Sequence, residues 1–117
     1  MNRIIKFRIW DSQLNKFGYF DLFSANGNTP IDCRDSIQQF TGLSDKSGKK
    51  IYEGDIVTLR TTSHDYQTKV IFIDGCFAFR IINPQGTLSL VFAHNIASGH
   101  FEAEVVGNIF ENPELLV

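Results

Sequence analysis

The chain has 117 residues, of which 43% are hydrophobic and 21% charged, with a formal net charge of −2. That length fits one domain, or one domain with a small appendage. The composition excludes disorder, collagen-like repeats and coiled coil, and a slightly acidic chain is not a general nucleic-acid sponge. Eleven Phe and thirteen Ile outweigh five Ala and eight Leu. Ile and Phe suit a pleated, half-buried surface, whereas Ala and Leu build helices. A mainly β domain with an aromatic core is expected.

In chain order, residues 3–10 alternate, with Ile5, Phe7 and Ile9 on one side and Lys6 and Arg8 on the other, the pattern of a half-buried strand. A polar connection at 11–16 and an aromatic run from Gly18 to Phe23 complete a β-hairpin. Asn26-Gly27-Asn28 before Pro30 is a turn, because Asn and Gly tolerate positive φ. It sets the one internal boundary, between an N-terminal hairpin extension (1–29) and a β-barrel domain (30–117). Residues 35–40 fit a helical turn or a strand equally well. Asp45-Lys46-Ser47-Gly48 is a tight turn, with Asp capping and Gly in the left-handed position. A short strand at Lys49–Tyr52 leads into the turn Glu53-Gly54-Asp55, and Ile56–Thr61 is a strand with Val57 and Leu59 on one face. After the polar tip Ser63-His64-Asp65, residues 69–73 are apolar on both faces, as in a central strand. Asp74-Gly75 closes a hairpin, and Phe77, Phe79 and Ile81 alternate in the strand that follows. Asn83-Pro84-Gln85-Gly86 turns into Leu88, Leu90 and Phe92, which alternate with Ser89 and Val91. Residues 93–99 break the pattern and have room for one helical turn. Glu102–Phe110 is the last strand, and Asn112-Pro113-Glu114 starts a short C-terminal helical turn, with Asn as N-cap and Pro first. From about residue 50 onward, five short strands with regular turns have the rhythm of a small SH3-like antiparallel barrel.

Apolar runs are too short to span a membrane, and the N-terminus lacks the continuous apolar stretch of a signal peptide, so a cytoplasmic protein is expected. Cys33 and Cys76 form no CxxC and are expected to be reduced thiols. His64, His94 and His100 lack a zinc-ligand spacing. Glu53 and Asp55 flank Gly54 in a turn, which suits a turn-capping Asp better than an acid–base pair. No nucleophile elbow or phosphate-binding glycine loop occurs, and Gly42, Gly48 and Gly54 read as turn glycines. No catalytic, metal or cofactor residues are assigned. Lys6, Arg8, Trp10 and Tyr19 combine cations with aromatic rings, the ingredients of single-strand binding. Charge is uneven: residues 1–16 carry +3 and residues 102–117 carry −4, so head and tail could pair within or between subunits. Ile4, Ile71, Ile82, Val91, Val106 and Phe110 fall opposite the primary alternation. One small core cannot cover both faces, so the hairpin and terminal turn are expected to cover part of this set and another subunit the rest, with Ile71, Ile82, Val91, Val106 and Phe110 as candidate subunit contacts.

Three blocks of sequence carry a family resemblance. They are Ile5-Lys6-Phe7-Arg8 with Trp10-Asp11; Gln39-Phe40-Thr41-Gly42-Leu43 running through Asp45-Lys46 and Gly48-Lys49 to Ile51-Tyr52-Glu53-Gly54-Asp55-Ile56-Val57; and Glu104-Val105-Val106-Gly107-Asn108-Ile109-Phe110-Glu111-Asn112-Pro113-Glu114-Leu115-Leu116. Together they resemble the YopX family, while 58–103 shows no matching motif. The resemblance implies a phage- or prophage-encoded protein without an assigned activity, forming homo-oligomers, and a largely helical fold. The recurrent period-2 alternation argues for strands instead. The expected function is a non-enzymatic scaffold or binder of host or phage protein, with nucleic-acid binding through the hairpin as the alternative.

Overall fold

The computed structural model describes residues 5–21, 37–62, 64–82, 85–99 and 101–116. The first sheet holds β1 (Lys6–Asp11), β2 (Lys16–Asp21), β3 (Ile37–Ser44) and β4 (Lys50–Tyr52), in the order β2-β1-β3-β4. The second holds β5 (Asp55–Arg60), β6 (Asp65–Ile73), β7 (Cys76–Ile82), β8 (Leu88–Phe92) and β9 (Glu102–Asn108), in the order β8-β7-β6-β5-β9. A single helical turn, α1 (His94–Ala97), separates β8 from β9, and a 3₁₀ turn, Pro113–Leu116, follows β9. The protein is thus mainly β and not helical.

Local chemistry sets the turns. The Asp11 carboxylate accepts the N–H groups of Gln13 and Leu14, and Asn15 takes a φ of 52°, closing the β1–β2 hairpin. Asp74 and Gly75 both have positive φ, 52° and 78°, as a two-residue hairpin between right-twisted strands requires. Asp45 Oδ1 accepts N–H bonds from Ser47 and Lys49, each 2.9 Å long, while its Oδ2 reaches Val105 N–H at 2.9 Å, so this turn is also pinned to β9. Burial opposes the Asp45 charge, but these backbone donors outweigh it and hold the carboxyl below its ordinary value. The ambiguous 35–40 region is settled from residue 37 onward by long-range pairing, since β3 joins both β1 and β4.

The core lies in the second sheet. Ile51, Val57, Leu59, Val70, Phe79, Val91, Ala93 and Ala103 form one buried cluster. It is largely aliphatic, with Phe79 inside it and Tyr66, Phe77 and Phe101 packed against it, while further rings gather around the first sheet. β6 is the middle strand, as its apolar run predicts, but it begins at Asp65, earlier than expected. Two alternating strands bury the unexpected side. In β1 the buried residues are Arg8 and Trp10, with Phe7 and Ile9 half-buried. In β8 only Val91 is buried, because it pairs with Phe79 over the core, and Leu88, Leu90 and Phe92 face out.

Among the described residues no ladder joins the edge strands β8 and β9, so neither sheet is closed into a barrel. The hairpin is not detached: β1 pairs with β3 as well as β2. The turn at 26–28, the boundary after residue 29, Ile4, Cys33, Ser63, Asn83, Pro84 and His100 lie outside the described residues. Among the described residues no helix is long and apolar enough to cross a membrane.

Candidate functional site

The chain crosses from the first sheet to the second at Glu53-Gly54, between β4 and β5. Gly54 has a φ of 84°, its N–H donates to Val70 O and its carbonyl accepts from Ile109 N–H. A Cβ there would collide with the Gln38 side-chain amide. The positive φ strains any other residue here, and a Cβ would also force the Gln38 amide to move. Immediately after it, Asp55 is buried to 2% exposure and meets Arg8, itself 4% exposed, at 2.7 Å. Arg8 Nε donates to Gln38 Oε1 at 2.7 Å and Nη2 to Glu53 O at 3.3 Å, while its guanidinium lies 4.1 Å from the Phe17 ring centroid and 4.8 Å from that of Tyr52. Asp55 Oδ2 accepts the Tyr52 N–H at 2.8 Å, which is the turn-capping role expected from sequence. Glu53 instead accepts from Gln39 N–H, so the two carboxylates serve separate backbone contacts. Burial pushes the Asp55 carboxyl above its ordinary value, even against the pull of Arg8 and the Tyr52 N–H. Burial likewise raises the Tyr52 phenol, with the neighbouring Tyr19 adding to it.

Aromatic rings surround this pair. Trp10 stacks on Phe110 with centroids 5.3 Å apart and planes 5° from parallel, and Phe17 meets both rings edge-on. Phe110 is placed by Asn108, whose Oδ1 accepts the N–H groups of Phe110 and Glu111 and whose Nδ2 donates to Glu111 Oε1. Asn112 Oδ1 accepts the Asn108 N–H at 3.3 Å, and its side chain fills the space a Cβ on Gly107 would need. The side chain of Asn112 therefore braces β9; it is the carbonyl of Asn112 that takes the Leu115 N–H of the 3₁₀ turn.

Above this floor lies an open cleft of about 840 Å³ between the hairpin and the end of β9. Of the four candidate nucleic-acid residues, Lys6 and Tyr19 line the cleft, Arg8 forms its floor, and Trp10 is packed away against Phe110. Lys49 and Lys50 also line it; their adjacency was visible in sequence, but only the fold brings them opposite the hairpin. The candidate subunit contacts separate. Ile71 and Ile82 share the outer face of the second sheet with Leu88, Leu90 and Phe92, by the registers Ile71↔Ala78↔Phe92 and Ile82↔Leu88. Val91 is core, Phe110 is stacked on Trp10, and Val106 stands on the cleft wall. Among the described residues no ion pair joins head to tail; Glu104 instead approaches Lys46 and Arg60 at 3.8 and 3.6 Å.

Residues 27–117 match the YopX protein family. The chain belongs to the YopX family. The crystal structure of protein EF1440 from Enterococcus faecalis is similar in fold, with a TM-score of 0.61 over 99% of this chain and 100% of that one, at 24% identity. No curated protein matches the chain. In this YopX-family chain the resembling blocks are the parts that meet at the joint: Arg8 from the first, Tyr52, Gly54 and Asp55 from the second, Gly107, Asn108, Phe110 and Asn112 from the third. Their shared property is structural, since they lock one sheet onto the other.

Proposed function

We propose that this YopX-family chain is a non-enzymatic accessory protein of a phage or prophage, acting in the bacterial cytoplasm as a homo-oligomeric scaffold or protein-binding module. Its β5–β9 unit reads as an SH3-like barrel left open between β8 and β9. The observation that carries the proposal is the outer face of β7 and β8, where Ile82 is 64% and Leu88 56% exposed, with Leu90 and Phe92 beside them. A contiguous apolar face on an edge strand calls for a partner, because it offers both unpaired backbone groups and apolar surface. A second copy of the chain is the partner favoured, with host or phage protein as the other class. Size-exclusion chromatography with light scattering tests the proposal. A discrete multimer that falls apart in Ile82→Lys/Leu90→Lys is expected; a monodisperse monomer at tens of micromolar would overturn it. The alternative of nucleic-acid binding along the exposed hairpin strand is weakened in its original form, because Arg8 and Trp10 are buried.

A further inference from the structure

We propose that the cleft between the β1–β2 hairpin and the end of β9 binds a nucleotide unit, a phosphate joined to a planar ring, either free or within a single strand. Its volume of about 840 Å³ falls within the range of small-ligand clefts. The chain as a whole is acidic, at −2, yet Lys6, Lys49 and Lys50 converge on this one concavity. Lys49 and Lys50 are exposed, and among the described residues no carboxylate lies within ion-pair distance of either. The acidic residues in the cleft cancel them only in part. Asp55 is paired with Arg8 and Asp21 stands directly across the ladder from Lys6, while Glu111, hydrogen-bonded by the neutral Asn108 amide, keeps its charge and offsets one of the two lysines. A net positive charge thus remains at Lys49 and Lys50, ready for a phosphate.

In the same cleft, Tyr19 supplies the ring. It is 64% exposed, yet its position is fixed by an edge contact with Tyr52, centroids 5.8 Å apart. A braced but open aromatic face is a stacking platform, and stacking on such a ring accepts any base. The floor is a rigid, charge-balanced pair, so it gives shape without competing for the anion. This site shares Lys6 and Tyr19 with the hairpin reading but depends on Lys49 and Lys50, and it is independent of the apolar outer face.

The test is a binding titration of a short fluorescein-labelled oligothymidylate at low salt, read as midpoint, with thymidine monophosphate, inorganic phosphate and an acidic peptide as competitors. Binding that weakens as salt rises is expected. Lys49→Glu/Lys50→Glu and Tyr19→Ala should each weaken it on the order of tenfold, with Tyr19→Phe restoring it. Lys69→Glu/Arg80→Glu, the same charge change on the outer face, should leave the midpoint unmoved. Competition by the monophosphate assigns the site to free nucleotides; resistance to it assigns the site to strands. Circular dichroism and urea midpoints establish that each variant is folded. Absence of binding, equal loss from both faces, indifference to Tyr19, or displacement by phosphate or acidic peptide as effective as by the monophosphate would each overturn the proposal.

Discussion

Around Phe79 the second sheet buries Ile51, Val57, Leu59, Val70 and small alanines, groups that ask nothing of their neighbours but contact. At the joint between the sheets the interior is built instead from Arg8, Asp55, Gln38 and Tyr52, ringed by Trp10, Phe17 and Phe110. The first region gains stability in proportion to apolar area and tolerates swaps of similar volume. The second holds two charges out of water, which is stabilising only while both are present and their hydrogen bonds are made. One region therefore supplies bulk stability and the other fixes how the first sheet sits on the second. The cleft inherits its shape from the second.

The largest effects should come from emptying either region. Phe79→Ala should cost about 3–5 kcal/mol through lost burial and a cavity. Asp55→Ala should cost about 3–5 kcal/mol by leaving Arg8 charged, buried and alone. The two should differ in how the protein unfolds. Trp10 is the only Trp and stacks on Phe110 at the joint, so its emission in urea should change ahead of the far-ultraviolet circular dichroism in Asp55→Ala and together with it in Phe79→Ala. Coincident curves in both variants would remove the distinction between the regions.

A smaller effect sharpens the same contrast. Gly42 and Gly54 share a positive φ, 87° and 84°, but a Cβ on Gly42 meets open space while one on Gly54 runs into Gln38. Gly42→Ala should cost about 1 kcal/mol by backbone strain alone. Gly54→Ala should cost more, because displacing Gln38 also strips Arg8 of a hydrogen bond. Equal losses in chemical denaturation would mean that the corner is not tied to the joint.

Acid titration separates the two buried carboxylates by sign. Asp45 is held below its ordinary 3.8 by backbone donors that overcome its burial, so its contribution is present above 3.8 and is lost as pH falls through its folded pKa. Asp55 is raised by burial, so the folded state keeps its proton longer, and its contribution diminishes as pH rises from 3.8 through its folded pKa. The stability gap between the parent and Asp45→Asn should therefore shrink towards acid, and that between the parent and Asp55→Asn should shrink in the opposite direction. Urea midpoints from about pH 2 to about pH 7 measure both. The smallest effect is expected at Glu104, whose contacts with Lys46 and Arg60 are solvent-exposed. Glu104→Ala should change stability by about 0–1 kcal/mol.

The contrast also explains what could be read from the residues. Period-2 alternation, the Asp74-Gly75 hairpin, the Asp45–Gly48 turn and the helical turn near 94–97 are local signals, and each is present. The buried sides of β1 and β8 were not legible, because hydropathy assigns Arg to water and Leu to the core. Arg8 is buried only because Asp55 and Gln38, far away in sequence, meet it, and Leu88 is exposed only because Val91 is the residue opposite Phe79. The role of Asp55 in capping Tyr52 was legible from the turn; its pairing with Arg8 was not. The cleft was half legible: Lys6 and Tyr19 were singled out, but Lys49 and Lys50 join them only through the β1-β3-β4 pairings.

A double-mutant cycle on Arg8 and Asp55, followed by Trp10 emission in urea, tests the joint most directly. Arg8→Met and Asp55→Leu should each cost about 3–5 kcal/mol, and the double variant much less than their sum, since it removes both charges and leaves apolar groups in their place. Additive losses, agreeing within about 0.5 kcal/mol, would contradict the claim that this pair holds the two sheets in register.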